Sequence, residues 1–167
     1  PTRERVAAQD GDAAAFERFV AQTIGDVTRF CAFLGDHDRV DDLVQDTYLR
    51  ALRSLHTFRG DGNGLRWLIT IARRACADAI QEEQRSRRTE ITRRPTLDHA
   101  AAMDLQLLVD QLPREQRDAF VLTQVFGYRY DEAATICECA VGTIRSRVAR
   151  ARTHLKDVLD ASAEQAG

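Results

Sequence analysis

The chain has 167 residues and a formal net charge of −2, so it can bury one sizeable core or two small ones, and its charge gives no overall sign of nucleic-acid binding. No apolar run approaches the roughly 18 residues that a membrane-spanning helix needs, and no charged-then-apolar signal segment opens the sequence. We expect a soluble, cytoplasmic protein without membrane insertion, trimmed at its N-terminus because it starts at Pro1 without a Met.

Apolar residues that recur at three- and four-residue steps predict helices through the first half of the chain. The first helix is predicted over 12–34 and the second over roughly 39–54, with Leu52 on its apolar face. The stretch FRGDGNG at 58–64 holds three glycines, so we predict a loop there. A long helix is then predicted over about 65–88.

Helical periodicity fails between about 86 and 103, where Pro95 stands among several Arg and Thr residues. We therefore place a linker at 89–103. It separates an N-terminal domain of residues 1–88 from a C-terminal domain of residues 104–167.

The C-terminal domain is also predicted to be helical. Its helices lie near 104–111, 113–126 and 130–137, and from Val141 to about Leu159. No stretch of the chain alternates as a strand does, so we predict an all-α protein of two small helical domains. A short helix, a turn at Glu138–Ala140 and a longer basic helix follow the order of a helix-turn-helix, whose second helix enters the major groove of DNA.

Charge is unevenly spread along the chain. Residues 36–46 carry five Asp against one Arg, whereas residues 141–156 carry four Arg, one Lys and no acid. This asymmetry suggests that different faces meet different partners.

The stretch VGTIRSRVARAR at 141–152 interleaves arginines with apolar residues. We predict that Val141, Ile144 and Val148 are core residues on its buried face, so the arginines project elsewhere. That arrangement fits a plain solvated surface as well as a DNA groove, and the helix-turn-helix order favours DNA. Arg suits the task because its planar fork grips guanine O6 and N7 together. The candidate DNA-binding residues are Thr143, Arg145, Ser146, Arg147 and Arg150, with Arg152 and Lys156 as phosphate contacts or solvated charges.

The four cysteines, Cys31, Cys76, Cys137 and Cys139, include no C-x-x-C pair, which indicates a reducing compartment. Cys137 and Cys139 alone cannot supply a tetrahedral zinc site, and no second ligand pair lies nearby in the sequence. The histidines stand singly, and neither a glycine-rich phosphate loop nor a nucleophile elbow is present. We therefore expect no metal, no cofactor and no enzymatic activity.

Phe58 and Trp67 flank the glycine-rich loop. An aromatic loop beside a basic helix can hold an unstacked base, because single strands are bound by stacking and a positive groove. Trp67 equally fits a place in the core, and we favour the core for it.

Two separate pairs of stretches resemble the bacterial extracytoplasmic-function (ECF, group IV) sigma factors. DDLVQDTYLRAL (41–52) with FRGDGNGLRWLITIARRACADAI (58–80) is similar to the family's region 2. LPREQRDAFVLTQVFGYRYDEAA (112–134) with VGTIRSRVARAR is similar to its region 4. The Cys137 and Cys139 pair before the last helix resembles the actinobacterial sigma C subgroup.

The resemblance implies a promoter-specificity subunit that directs core RNA polymerase to promoters and helps open them without covalent chemistry. It implies docking on the clamp coiled coil of the largest polymerase subunit through Asp42, Gln45, Asp46, Leu49, Arg50 and Arg53. It implies contacts to the minus-10 element from Phe58, Arg59, Asp61, Asn63, Arg73, Arg74 and Asp78. The helix at 141–152 would read the minus-35 element.

Further partners implied by the resemblance are the flap of the second-largest polymerase subunit and an anti-sigma factor. The alternative to a sigma factor is a stand-alone helix-turn-helix transcriptional regulator. That alternative explains the arginine helix but leaves the acidic segment and the glycine-rich loop without a role.

Three positions depart from the family's pattern. Arg74 stands where the family often has Asn, and Arg129 stands where Ser or Thr commonly caps the short helix, a cap worth about 1 kcal/mol. Glu138 occupies a turn position where Gly is usual. If that position needs a positive φ, a non-Gly residue strains it by roughly 1 kcal/mol.

Overall fold

The computed structural model of the chain describes residues 13–55, 63–87 and 102–165. The chain divides into two units, Pro1–Thr92 and Arg93–Gly167. Every regular element in the described residues is helical. The prediction of an all-α fold with two helical domains is therefore confirmed.

Three helices make up the described part of the N-terminal unit: α1 (Ala13–Leu34), α2 (Val40–Ser54) and α3 (Gly64–Arg87). Each packs against the other two. The side chains that fill the space between them include Phe19, Val27 and Phe30 of α1, Leu43 and Ala51 of α2, and Leu68, Ile69 and Ala72 of α3. Burying each large apolar side chain contributes about 1.5–3 kcal/mol.

Polar groups at the helix ends place α2 and α3. Asp36 accepts a hydrogen bond from the Asp38 amide (3.2 Å) and starts a short 3₁₀ turn, His37–Arg39, that leads into α2. Asn63 precedes α3 and caps its first turn, because its Oδ1 accepts a hydrogen bond from the Leu65 amide (2.9 Å).

A partly buried pair of hydroxyl groups also holds α1 to α2. Thr23 is fully buried and donates to the Phe19 carbonyl (2.7 Å), so the Tyr48 hydroxyl is the donor in its 2.8 Å bond to Thr23. Burial raises the pKa of Tyr48 above its ordinary value, which keeps this donor protonated.

Trp67 packs, half-buried, against Ala15 and Leu55. The core interpretation of Trp67 is therefore confirmed. Leu52 lies on the apolar face of α2, as predicted, but this residue is 51% exposed. It lines an apolar groove on the side of α2 that neither α1 nor α3 covers completely.

The described part of the C-terminal unit contains α4 (Ala102–Asp110), α5 (Arg114–Phe120), α6 (Tyr130–Cys137) and α7 (Val141–Gln165). A π-helical turn, Val121–Val125, continues α5. The helix α7 extends beyond the predicted end at Leu159, because no Gly or Pro interrupts the sequence before Gly167. Its apolar stripe packs against α4, α5 and α6.

The turn between α6 and α7 contains a residue in a left-handed conformation. Glu138 has φ 54° and ψ 44°. This φ is positive, so the backbone strain expected for a non-Gly residue at this position is present. Arg129 is the N-cap residue before α6 and provides no side-chain cap, as its departure from the family pattern implied. Glu132 supplies one capping bond instead, since its carboxylate accepts the Arg129 amide (3.0 Å).

Replacing Glu138 by Gly should raise the free energy of unfolding of the C-terminal unit by about 1 kcal/mol, because Gly adopts positive φ without a steric penalty. Gly127, with φ 70°, is the matched control. Gly127→Ala should lower the free energy of unfolding by a similar amount. Hydrogen exchange of the α6 and α7 amides in the full chain measures both changes. A Glu138→Gly protein no more stable than the parent would contradict the strain.

Candidate functional site

The helix α7 is held by one buried stripe. Ile144, Val148, Ala151 and Leu155 are all buried, at steps of three and four residues. Arg145 and Arg150 are exposed on the other faces. Val141 was predicted to be core, and this is wrong, because it is the first residue of α7 and lies exposed beyond the edge of the stripe.

Arg147 is set apart from its neighbours on α7 by its surroundings. Its side chain is only 16% exposed and forms a 2.6 Å ion pair with Glu115 of α5. It also donates from Nη1 to the Sγ of Cys139 (3.6 Å), in the turn before α7. Arg147 therefore ties α7 to α5 and to the turn, and a base would have to displace these partners to reach it.

A cleft of about 390 Å³ lies between the start of α5 and the first turns of α7. It brings together four predicted DNA-binding residues, and Arg145 is not among them. The lining residues are Pro113, Arg114, Glu115, Gln116, Thr143, Ser146, Arg147 and Arg150. Arg114 was not predicted as a candidate site residue. The signal that could have indicated it is its position directly after Pro113, in the first turn of a predicted helix. Guanidinium and hydroxyl donors at one cleft suit phosphate oxygens.

A second groove, of about 570 Å³, lies between α2 and α3. It gathers five of the six predicted polymerase-binding residues, and Arg53 is not among them. These five are Asp42, Gln45, Asp46, Leu49 and Arg50. From α3 the groove also receives Asp78, which was predicted to lie near DNA.

Arg50 bridges the two helices across this groove. Its Nε lies 2.8 Å from Asp46 Oδ2, one turn earlier on α2, and its Nη1 lies 2.5 Å from Asp78 Oδ2 on α3. The hydrogen bond to Asp78 raises the pKa of Arg50 above its ordinary value. Sequence reasoning missed this pair, because its members are 28 residues apart.

An apolar groove of about 400 Å³ borders the same face of α2 on its other side, toward α1. Ile24, Leu49 and Leu52 are its most exposed large side chains. Leu49 lines both grooves. This surface was not predicted, since Ile24 and Leu52 fit the helical period of buried residues.

The predicted minus-10 residues are only partly visible in the described structure. Phe58, Arg59 and Asp61 lie outside the described residues. Asn63 caps α3 with its side chain. Further along α3, Arg73 is half-buried, while Arg74 and Asp78, one turn apart, are exposed.

Within residues 13–55, 63–87 and 102–165, no helix has the length and apolarity needed to span a bilayer. Over the same ranges, no three His, Cys, Asp or Glu side chains lie close enough to hold a metal ion. All four cysteines are free thiols, and Cys139 is the half-buried one.

Comparison with known proteins identifies both units. The family profile for Sigma-70 region 2 matches residues 19–86, and the profile for Sigma-70 region 4 matches residues 102–155. The ECF RNA polymerase sigma factor SigC of Mycobacterium tuberculosis is 40% identical over 168 residues, which cover 95% of this chain and 89% of SigC. The chain belongs to the ECF family of RNA polymerase sigma factors.

Two further sigma factors extend the match. EcfG of Rhodopseudomonas palustris is 39% identical over 137 residues, covering 75% of this chain and 74% of EcfG. The sigma factor RpoE of Bartonella quintana, solved in complex with the anti-sigma factor NepR, matches with a TM-score of 0.79 and 30% identity over 87% of this chain and 96% of RpoE. This sigma factor is accordingly a transcription initiation factor and not an enzyme.

Replacing Arg147 by Ala should lower the free energy of unfolding by about 1 kcal/mol, because the change removes the ion pair with the exposed Glu115 and the packing of the Arg stem. Arg145→Ala should change it by less than about 0.5 kcal/mol, since that side chain is exposed. Urea unfolding of both variants measures the difference. Equal effects would contradict the structural tie through Arg147.

Proposed function

We propose that this sigma factor recognises promoters through two surfaces, one on each unit, that work together when core polymerase holds both. The observation that carries this proposal is the grouping of Asp42, Gln45, Asp46 and Leu49 along one groove of the region 2 unit. The alternative of a stand-alone regulator leaves this surface without an assigned role. The second surface is the outward face of α7 in the region 4 unit.

The α2 face is proposed to dock on the clamp coiled coil of the largest polymerase subunit. Leu49 is 46% exposed between two grooves, which suits an apolar anchor. Asp42 has a 73% exposed side chain, and the nearest basic atom paired with it is 4.0 Å away on Arg39. Its charge is therefore available to a basic partner and would favour fast, oriented docking.

The helix α7 is proposed to enter the major groove of the minus-35 element. Arg145 and Arg150 are exposed and long enough to reach base edges or the groove rim. Thr143 and Ser146 line the cleft beside them, where phosphate contacts are expected. We assign Arg147 to the support of this surface, because Glu115 and Cys139 already engage it.

The minus-10 element is proposed to meet the loop at 58–64 and the beginning of α3. The resemblance assigns Phe58, Arg59 and Asp61 to the capture of a flipped base, which a protein binds by stacking and by hydrogen bonds to its edge. Asn63 would act there mainly through the cap that fixes the start of α3. Arg73 and Arg74 would follow the strand along α3.

The remaining assignments concern organisation and partners. The domains at 1–88 and 104–167 would be joined by the linker at 89–103, which would thread polymerase. The region 4 unit would also meet the flap of the second-largest subunit. An anti-sigma factor would cover these surfaces, and the Bartonella quintana relative was solved in complex with such a factor. The protein would act in the cytoplasm, where polymerase works.

Transcript mapping tests the proposed function. Core polymerase is incubated with genomic DNA, with and without this protein, and the 5′ ends of the transcripts are sequenced. The proposal predicts new start sites that share two upstream motifs at a fixed spacing. No new start sites in the presence of the protein would overturn it.

Asp42→Arg should weaken binding to core polymerase roughly tenfold, because it reverses an exposed charge in the proposed docking face. Glu17→Arg, on the exposed side of α1, is the matched control with the same charge change. Titration of core polymerase with labelled protein gives both dissociation constants. Equal affinities for Asp42→Arg and the control would remove this carboxylate from the interface.

Arg145→Ala should weaken recognition of the minus-35 element by about 1–3 kcal/mol and relax base preference at one position. Arg152, which donates to Gln124 Oε1 (2.7 Å), should behave differently. Arg152→Ala should weaken binding evenly across sequences and lower the salt dependence. Holoenzyme binding to promoter variants distinguishes the two. An even loss from Arg145→Ala would mean that Arg145 touches phosphate only.

A further inference from the structure

We propose that Arg50 is a positioning residue that neutralises Asp78 beside promoter DNA, and that it does not contact polymerase. This inference rests on the proposed function, since it takes the α2 face as the polymerase surface and α3 as the minus-10 surface. It replaces the role that the family resemblance implied for Arg50.

The first support is the geometry of the guanidinium. Arg50 donates from one side to Asp46, on its own helix, and from another side to Asp78, on α3. Asp46 lies one turn before Arg50, a spacing that holds the Arg stem in place. The arginine fork is thus oriented by one carboxylate and directed at the other.

Other charged residues lining the same groove pair locally. Arg39 lies 4.0 Å from Asp42, three residues later, and Arg85 lies 3.6 Å from Glu82 within α3. Arg50, by contrast, joins α2 to α3. A polymerase carboxylate could recruit Arg50 only by competing with two carboxylates that already hold it, which makes Arg50 a poor docking contact.

The second support is the place of Asp78 on α3. It lies one turn after Arg74, on the helix along which the minus-10 strand is proposed to run. A carboxylate there repels phosphates at distances up to about 10 Å at 0.1 M salt. The bond to Arg50 offsets the negative charge of the Asp78 carboxylate directly. The same bond engages Oδ2 of Asp78, which makes this 58% exposed carboxylate a poorer reader of bases.

The experiment measures two affinities for each variant: protein for core polymerase, and holoenzyme for a promoter fragment mapped with the wild-type protein. Arg50→Ala should leave the affinity for core unchanged and weaken promoter binding roughly three- to tenfold at about 0.05 M salt. The loss should shrink at about 0.3 M salt, because the repulsion is screened. Asp78→Asn alone should not weaken promoter binding, and Arg50→Ala/Asp78→Asn should restore it.

Arg85→Ala is the matched control, since it removes the same charge from the same groove without touching the bridge. Adding Asp78→Asn to Arg85→Ala should give no such repair. Thermal unfolding shows whether each variant is folded at the assay temperature. If Arg50→Ala is not folded, the promoter affinity of Asp78→Asn alone tests the inference.

Three results would overturn the inference. The first is weaker core binding by Arg50→Ala that Asp78→Asn fails to repair, which would make Arg50 a polymerase contact. The second is weaker promoter binding by Asp78→Asn alone, which would make Asp78 a reader of DNA. The third is an Arg50→Ala protein indistinguishable from the wild type. Failure of the wild-type protein to form a promoter complex with core is a separate result, and it would overturn the proposed function as well.

Discussion

Burial of one apolar stripe decides which side chains of α7 face outward. Ile144, Val148 and Ala151 are almost completely buried against the other helices of the C-terminal unit. Rotating α7 about its axis would expose this stripe, at a cost of about 1.5–3 kcal/mol for each large side chain. The ion pair of Arg147 with Glu115 also opposes this rotation, because it ties α7 to α5. The exposed arginines are therefore presented by a fixed helix, so the proposed contact with DNA would cost little backbone flexibility.

The same principle organises the N-terminal unit, where α2 packs against both α1 and α3. The bond between Thr23 and Tyr48 holds one side of α2, and the bridge from Arg50 to Asp78 holds the other. Among the described residues of this unit, the part of α2 left uncovered is a narrow face centred on Leu49, bordered by one charged groove and one apolar groove. A partner that docks there meets an acidic edge and an apolar anchor together, which suits an oriented protein contact better than a small ligand.

The helices were predictable because a repeat of three to four residues specifies which face of a helix is buried. That repeat does not say how far the buried face extends. Leu52 and Val141 fit the repeat and are nevertheless exposed, because none of the described helices covers them. The repeat also says nothing about partners on other helices, so it could not predict the contacts from Arg50 to Asp78 and from Arg147 to Glu115. The roles of the α2 face and of the glycine-rich loop were suggested by family resemblance, since composition gave only an acidic segment and a turn.

Promoter recognition by two surfaces on separate units requires polymerase to hold both surfaces on the same DNA. The most direct test compares the affinity of the free protein for a mapped promoter duplex with the affinity of its complex with core, at one fixed salt concentration. We expect the free protein to bind the promoter little better than a scrambled duplex. The complex should prefer the promoter by a factor on the order of 10³ or more. Tight, sequence-specific binding of the duplex by the free protein would contradict this account and favour a stand-alone regulator.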